Sequence, residues 1–288
     1  MIIDMHTHTF PDKIAASTLE KLSAASHTRP FTSGTQEGLL RSMEEAGVDL
    51  SLVLPVATAP RQVEHINDRS AQLNQSGGKL LSFGCMHPDF PGWHEELARV
   101  KALGLKGIKL HPVYQGVDFD DPRYLRILDR AGELGLIIVT HAGDDVGFPG
   151  AVRCSPEMVR RAMEQAGPVT LILAHMGGWR NWDRVETILA SLPVFLDTSF
   201  STGRMAPLDD GYYRPQDLEL LDPPRFMKLL RAFGARRVLF GSDSPWSGQK
   251  ESLDWLRALP LTEAERRAVL GGNAERLLGL EEARGTEL

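Results

Sequence analysis

Residues 136–141 read LIIVTH and residues 169–175 read VTLILAH, two apolar stretches that each end in a histidine. Neither stretch alternates apolar and polar residues, which is typical of a parallel strand covered on both faces. A helical pattern at 156–166 separates them, with Ser155-Pro156 as its N-cap and first helical residue. Two strands joined by a crossover helix are the repeating unit of a parallel α/β fold.

The same alternation extends from this unit toward both ends of the chain. It predicts eight strands near 1–6, 48–54, 80–86, 107–111, 136–141, 169–175, 193–197 and 237–241. Helical patterns occupy 12–25, 36–46, 61–75, 92–103, 122–134, 156–166, 181–190, 223–233 and 249–258, and 262–280 predicts two further short helices. Eight such repeats fit either a closed (β/α)8 TIM barrel or an open doubly wound sheet.

Chain length and missing motifs favour the barrel over the open sheet. The chain has 288 residues, close to the length of one barrel domain. It has no G-x-G-x-x-G after a strand, no phosphate-binding G-x-x-x-x-G-K-[ST] and no G-x-S-x-G elbow. We therefore predict a single α/β barrel domain over 1–280 and a flexible tail over 281–288. The aperiodic stretch 198–222 is predicted to be a functional loop.

Composition and charge argue against several partners and compartments. The formal net charge is −6 without a basic run, so a nucleic-acid partner is not expected. No apolar run reaches the ~18 residues that cross a bilayer, so no membrane partner is expected either. Cys85 and Cys154 show no pairing pattern, and the N-terminus does not resemble a signal peptide. The expectation is a cytoplasmic protein.

Most of the nine histidines fall at the same place in the predicted repeats. Six lie at or just after the C-terminal end of a predicted strand, which in a barrel is the face that carries active sites: His6, His8, His87, His111, His141 and His175. The other three, His27, His65 and His94, are predicted to be surface residues. This clustering indicates a functional site.

Several of these histidines can serve one divalent ion. His6 and His8 are two apart on a strand and therefore share a face, and neutral imidazole suits Zn²⁺, Fe²⁺, Mn²⁺ or Co²⁺. His141 and His175 end adjacent strands. Asp243 follows the last strand and can bind metal and accept a proton, although it can also cap the next helix. We predict metal ligation by these five residues and catalytic roles for Asp243 and His175.

Further side chains at the same face are candidates for substrate binding. Lys109-x-His111 places both side chains on one face of the fourth strand. Lys109 can bind a substrate carboxylate or, if carboxylated, bridge two ions. His111, His87 and Trp246 are further substrate-binding candidates. The partner expected from this set is a small molecule, with Lys109 suggesting an anionic one.

Taken in order, His6-Thr7-His8, His141, His175 and Asp243 resemble the ligand set of the amidohydrolase superfamily of metal-dependent barrels. The finer resemblance is to the amidohydrolase-2 branch, which includes the α-amino-β-carboxymuconate-ε-semialdehyde decarboxylase group. It runs from the first strand to about Leu280, where residues 273–278 (NAERLL) are similar to the terminal helix of that family.

The resemblance implies ligands on the first, fifth and eighth strands, with His175 as the sixth-strand histidine. It implies one divalent ion, with zinc preferred and manganese, iron or cobalt as alternatives. A second ion is less favoured, because Lys109-x-His111 is not the usual context of a carboxylated lysine. Barrels of this branch are often homodimers.

Four activities are compatible with this set of residues. The favoured one is hydrolysis of an amide, ester or lactone by metal-activated water. The first alternative is a decarboxylase of a small carboxylated aromatic or enoate. A phosphoesterase of the polymerase-and-histidinol-phosphatase type is disfavoured, because Asp243 is followed by Ser244-Pro245 and not by x-His. A barrel that only binds a ligand is also disfavoured, because all five metal-site positions are intact.

Overall fold

The structure, a computed structural model, describes residues 1–280. The predicted flexible tail 281–288 lies outside the described residues. The strands are β1 Ile3–Thr7, β2 Leu50–Val53, β3 Leu80–Ser82, β4 Gly84–Cys85, β5 Gly107–Leu110, β6 Ile137–Thr140, β7 Thr170–Leu173, β8 Phe195–Asp197 and β9 Val238–Leu239. All seven pairings between neighbouring strands are parallel, in the orders β1-β2-β3 and β4-β5-β6-β7-β8-β9.

These two sheets join into one closed barrel. β3 and β4 are halves of one barrel strand interrupted at Phe83, whose N–H donates to the Val53 carbonyl (3.1 Å). At the seam between the first and last strands, β1 and β9, Met5 N donates to Phe240 O and Asp243 N donates to His6 O, both at 2.8 Å. The predicted eight-stranded TIM barrel is confirmed, and the open doubly wound sheet is excluded because the first and last strands are hydrogen-bonded to each other.

The helices follow the strands in the predicted order. They are α1 Asp12–Ser26, α2 Gln36–Ala46, α3 Val63–Ser76, α4 Trp93–Ala102, α5 Pro112–Gln115, α6 Pro122–Glu133, α7 Pro156–Gln165, α8 Trp182–Leu189, α9 Pro223–Phe233, α10 Gln249–Arg257, α11 Glu263–Arg267 and α12 Asn273–Leu278. Local chemistry sets the bounds of α2, where the Thr35 hydroxyl accepts from Gly38 N (3.0 Å) and Gly47 ends the helix at φ 73°. No helix among residues 1–280 is both long and apolar enough to cross a membrane.

The barrel interior is filled from its N-terminal end. Inward-facing side chains such as Ile3, Phe83 and Ile172 form one buried cluster, which also contains Ala274 and Leu278 of α12. The outward-facing side chains of the strands pack against the surrounding helices in a second cluster. Because α12 lies against the start of the strands, the opposite end of the barrel, where the strands finish, stays open for a site.

The segment 198–222 is ordered by hydrogen bonds to the end of α1. Arg29 N donates to Ala206 O (2.8 Å), Leu208 N donates to His27 O (3.0 Å), and the Tyr213 hydroxyl donates to Ser26 O (2.7 Å). The segment is therefore tied to the start of the chain along much of its length.

Candidate metal centre and active site

A cavity of about 750 Å³ opens at the C-terminal ends of the strands. Successive side chains along a strand point alternately into the barrel and toward the helices, and this alternation decides which side chains reach the cavity. On β6, Ile137 and Val139 face the barrel interior and Ile138 faces the helices, so His141 continues the inward-facing series. On β5, Ile108 and Leu110 face outward, so Lys109 and His111 face inward.

Irregular backbone turns the remaining site residues toward the cavity. The β1–β2 register shifts between Asp4 and Thr7, which brings His6 and His8 to the inner face after Ile3 and Met5. His175 has φ 60° and Asp243 has φ 73°, values that non-glycine residues seldom adopt. Such strain is found where a site requires a particular side-chain direction.

His6, His8 and Asp243 converge on one point. The Asp243 Oδ1 atom lies 3.4 Å from His6 Nε2 and 3.2 Å from His8 Nε2. Each histidine uses its other nitrogen elsewhere: His6 Nδ1 lies 2.7 Å from Asp197 Oδ2, and His8 Nδ1 lies 2.8 Å from the Leu54 carbonyl oxygen. A carbonyl only accepts, so His8 Nδ1 carries the proton and its Nε2 presents a lone pair toward Asp243.

The donor set fits a divalent metal ion. Lone pairs on two neutral imidazoles and a carboxylate that face one another repel unless a cation or a proton lies between them. Burial lowers the pKa of His6 to about 4, which disfavours the proton. Burial alone would raise the pKa of Asp243, but its contacts with the neighbouring histidines His8, His6 and His175 hold that pKa below its usual range. Two imidazoles and a carboxylate suit Zn²⁺, Mn²⁺, Fe²⁺ or Co²⁺.

His141 and His175 form the adjoining part of the site. His175 Nε2 lies 3.0 Å from His141 Nδ1, and His175 Nδ1 lies 3.0 Å from Ser199 O. His141 Nε2 lies 3.2 Å from the Asp144 carbonyl oxygen. The rings of His6 and His175 are 5.5 Å apart between centroids. The structure thus brings the five predicted metal-site residues into one cluster, with three at the convergent point and His141 beyond His175.

Lys109 lies beside the convergent point. Its Nζ atom is 3.2 Å from His6 Nε2, and burial lowers its pKa to about 8. The residue is 1% exposed, and no carboxylate within residues 1–280 forms an ion pair with it. Burying an ammonium group without a carboxylate in direct contact is costly, and the nearby charges of Asp197 and Asp243 offset only part of that cost. Lys109 is therefore available to an anion that enters the cavity.

A second group of ionisable side chains lies against the first. The His111 ring stacks on Tyr114 (3.7 Å) and on His141 (4.4 Å). Asp145 Oδ2 is 3.6 Å from His111 Nε2 and 3.8 Å from His141 Nε2. Burial raises the pKa of Asp145 to about 6. His111, His141 and Asp145 offer donor atoms within 4.8 Å of one another and could hold a second ion.

The other predicted substrate-binding residues differ in their placement. Trp246 lines the cavity, together with other aromatic side chains. His87 does not line it; it is buried beside the start of the next loop, where its Nδ1 accepts from Asp89 N (3.1 Å). His65, predicted to be a surface residue, is exposed on α3 but lies on the cavity wall. From the segment 198–222 the cavity lining includes only Phe200.

Two buried carboxylates of the site were missed by sequence reasoning. Asp197 holds His6 Nδ1 and accepts from His175 N (3.1 Å) and the Ser199 hydroxyl. Burial alone would raise its pKa, but the interaction with His6, including their hydrogen bond, lowers the pKa of Asp197 to about 2. Asp197 ends a predicted strand just as the histidines do, and that position was the available signal. Asp145 follows His141 by four residues, in a loop without a recognisable pattern.

Replacing Asp197 with asparagine should weaken metal binding about 10- to 100-fold, because a carboxylate that holds a ligating imidazole fixes its orientation and raises its basicity. Affinity for Mn²⁺ or Zn²⁺ would be measured by competition with a chromophoric chelator. Asp254→Asn, an exposed carboxylate on α10, serves as the control and should leave affinity unchanged. Equal affinity in wild type and Asp197→Asn would contradict this role.

Comparison with known proteins places this barrel in a family. The Amidohydro_2 amidohydrolase family model matches residues 3–280, so the chain belongs to that family, and the resemblance seen in the sequence is confirmed. No curated protein sequence matches the chain.

Solved structures share the fold at low sequence identity. The crystal structure of 5-carboxyvanillate decarboxylase LigW from Sphingomonas paucimobilis aligns with a TM-score of 0.66 and 17% identity, covering 96% of this chain and 98% of that one. An uncharacterised TIM-barrel protein from Bordetella bronchiseptica aligns with a TM-score of 0.73 and 16% identity, covering 96% and 98%. A dihydroxybenzoic acid decarboxylase from Polaromonas sp. JS666, with bound manganese and the inhibitor 2-nitroresorcinol, gives 0.65 and 17%, covering 97% of both chains.

Proposed function

We propose that the chain is a metal-dependent decarboxylase of a small aromatic or unsaturated carboxylic acid. The observation that carries this proposal is the buried Lys109 ammonium group, which has no carboxylate of residues 1–280 within ion-pair distance and lies beside the His6, His8 and Asp243 cluster. Such a group favours a substrate that is itself a carboxylate. The hydrolase favoured from the sequence is not confirmed, and the structural neighbours with decarboxylase activity support its alternative.

The cavity walls suit a planar, largely apolar substrate. Several aromatic side chains line it: Phe10, Tyr114, Phe148, Trp179, Phe200 and Trp246. Aromatic walls hold a flat ring by stacking and exclude water from the reacting group. A substrate whose carboxylate faces Lys109 would therefore keep its ring between these side chains.

Each residue of the cluster has a distinct proposed task. A divalent ion on His6, His8 and Asp243, with His141 and His175 beside it, would supply positive charge that orients the anionic substrate. Lys109 would bind the carboxylate that leaves as CO2. Loss of CO2 leaves an electron pair on the substrate carbon, and one proton must replace the lost group. His175, whose Nε2 lies 3.0 Å from His141 Nδ1, is our candidate for its delivery.

The direct test is to assay the manganese- and zinc-loaded protein with 5-carboxyvanillate and 2,6-dihydroxybenzoate. We expect one CO2 per substrate consumed and, in D2O, one deuterium on the product carbon, measured by a coupled CO2 assay and by NMR. Parallel assays with aryl amides and lactones test the hydrolase. Release of an acid from these compounds, with no CO2 from a broad set of carboxylated aromatics and enoates, would overturn the proposal.

Lys109→Met should lower kcat/KM for the decarboxylated substrate by about 10²- to 10³-fold, as loss of one buried charged donor at a reacting group typically does. Methionine keeps most of the side-chain volume and removes the charge. The matched control is Lys101→Met on the exposed surface of α4, which should retain full activity. An unchanged kcat/KM in Lys109→Met would remove Lys109 from the mechanism.

A further inference from the structure

Three cationic or titratable side chains form a stripe along one wall of the cavity. Arg61, His65 and Arg69 are spaced four apart on the helical stretch 60–76, made of a 3₁₀ turn at Pro60–Gln62 that continues into α3. Residues four apart lie one above another on a helix face. All three line the cavity and all three are exposed.

Neither arginine of this stripe has an anionic partner among the described residues. The acids of the same helix are directed elsewhere: Asp68 accepts from Arg99 Nη1 (2.6 Å), and Glu64 does not line the cavity. The acids that do line the cavity are Asp144, Asp145 and Asp243. Of these, Asp145 and Asp243 lie within the histidine cluster and not at the stripe.

Unpaired arginines are a minority among the exposed arginines of residues 1–280. Most of the others have a carboxylate partner, for example Arg161 with Asp120 (2.6 Å) and Arg225 with Asp183 (2.7 Å), whereas Arg180, Arg236 and Arg276 form no carboxylate ion pair but do not line the cavity. The net charge of −6 means that acids outnumber bases overall. Two arginines on one wall of the cavity, neither paired with a carboxylate, therefore form a local positive field that attracts anions.

The wall near the stripe includes apolar side chains. Ile66 of α3 and Ile14 and Leu22 of α1 line the cavity with it. A ligand that reaches from Lys109 to the stripe would thus have charged ends and an apolar middle. Guanidinium groups pair with carboxylates in a planar, two-pronged geometry, which makes a carboxylate the anion best suited to this wall.

We propose that Arg61 and Arg69, with His65 between them, bind a second carboxylate of the substrate, so that the enzyme acts on dicarboxylic acids. The inference rests on the proposed function, which decides which of the two carboxylates is lost as CO2. Binding of the second carboxylate does not itself depend on turnover. Arg61 and Arg69 would set specificity and affinity without contacting the reacting carbon.

Binding of dicarboxylates to the manganese-loaded protein tests the proposed second carboxylate site without any need for catalysis. The probes are terephthalate, 4-(carboxymethyl)benzoate and biphenyl-4,4′-dicarboxylate, which separate the two charges by increasing lengths. Each is compared by calorimetry with its monocarboxylate counterpart, 4-methylbenzoate, 4-ethylbenzoate or 4-phenylbenzoate. We expect at least one dicarboxylate to bind 10-fold or more tightly than its counterpart, and the Arg61→Gln/Arg69→Gln variant to lose that preference.

The control variant is Arg236→Gln, an exposed arginine before β9 that does not line the cavity and should keep the preference. Circular dichroism and Tm verify that each variant is folded. The proposal is overturned if no dicarboxylate is preferred, or if the preference survives in Arg61→Gln/Arg69→Gln. Failure to release CO2 from a tightly bound dicarboxylate would count against the decarboxylase while leaving this binding site in place.

Discussion

His6→Ala/His8→Ala should reduce bound metal from about one equivalent to less than a tenth of one, and should lower decarboxylation by at least ~10³-fold, since three donors meet in the wild type and only Asp243 remains in the variant. The measurement is elemental analysis of protein purified and reconstituted with Mn²⁺ or Zn²⁺, followed by the CO2 assay. A single carboxylate holds a divalent ion weakly, so the loss should be nearly complete.

The matched control replaces two histidines outside the cluster, His65 and His94, both of which are exposed. His65→Ala/His94→Ala should retain wild-type metal content. Two equivalents in the wild type would point to the group formed by His111, His141 and Asp145 as a second ion site. Full metal retention in the His6→Ala/His8→Ala variant would contradict the assignment of the centre.

Gly143→Ala should destabilise the protein by about 2–4 kcal/mol and impair the site, because strained backbone and steric overlap act together there. Gly143 has φ +86°, and a Cβ atom would lie 2.2 Å from Trp179 N and 2.5 Å from Trp179 O. Backbone atoms cannot yield as the end of a flexible side chain can. The loop after His141 and the loop after His175 would have to separate, which would move both histidines.

Urea unfolding and metal affinity measure the two effects. Gly150→Ala is the matched control, since Gly150 lies in the same loop with φ +80° but has no atom within 4 Å of the added Cβ. The backbone strain is similar in both variants, so the difference between them isolates the overlap with Trp179. If Gly143→Ala is no less stable than Gly150→Ala, the close approach of the two loops is not important for stability.

Much of the architecture could be predicted because short stretches of sequence determine where its strands and helices begin and end. Apolar runs located the barrel strands, and the Ser155-Pro156 N-cap gave the start of the predicted helix 156–166, which begins at Pro156 in the structure. The predicted strand 80–86 is interrupted at Phe83, and of 237–241 only Val238 and Leu239 form regular strand. Short strands near a seam depend on their partners more than on their own sequence.

The site was predictable only where strand position and residue type coincide. Six histidines at strand ends gave the cluster, but the same rule also included His87, which the structure places away from the cavity lining. Strand position gives the end of the barrel, whereas the loop that follows decides the direction of the side chain. Asp145 and the stripe on α3 belong to a loop and a helix wall, whose approach to the cavity depends on tertiary packing.

The choice between hydrolase and decarboxylase was beyond the sequence for a related reason. Both reactions use a metal ion and histidines at the same strand ends. What favours the decarboxylase in our proposal is that no carboxylate of residues 1–280 forms an ion pair with Lys109. Whether Lys109 forms an ion pair depends on which residues surround it in three dimensions, and the spacing of residues in the sequence does not reveal this.

The seam between the first and last strands has a consequence for the order of events during synthesis. His6 and His8 leave the ribosome more than 200 residues before Asp243 and the other partners of β1 at 240–244. A nascent chain can form its early strand–helix repeats, but its site lacks Asp243 until the last strand has been translated. Until residues 240–244 have been translated, one edge of β1 therefore has no partner strand to complete its hydrogen bonds.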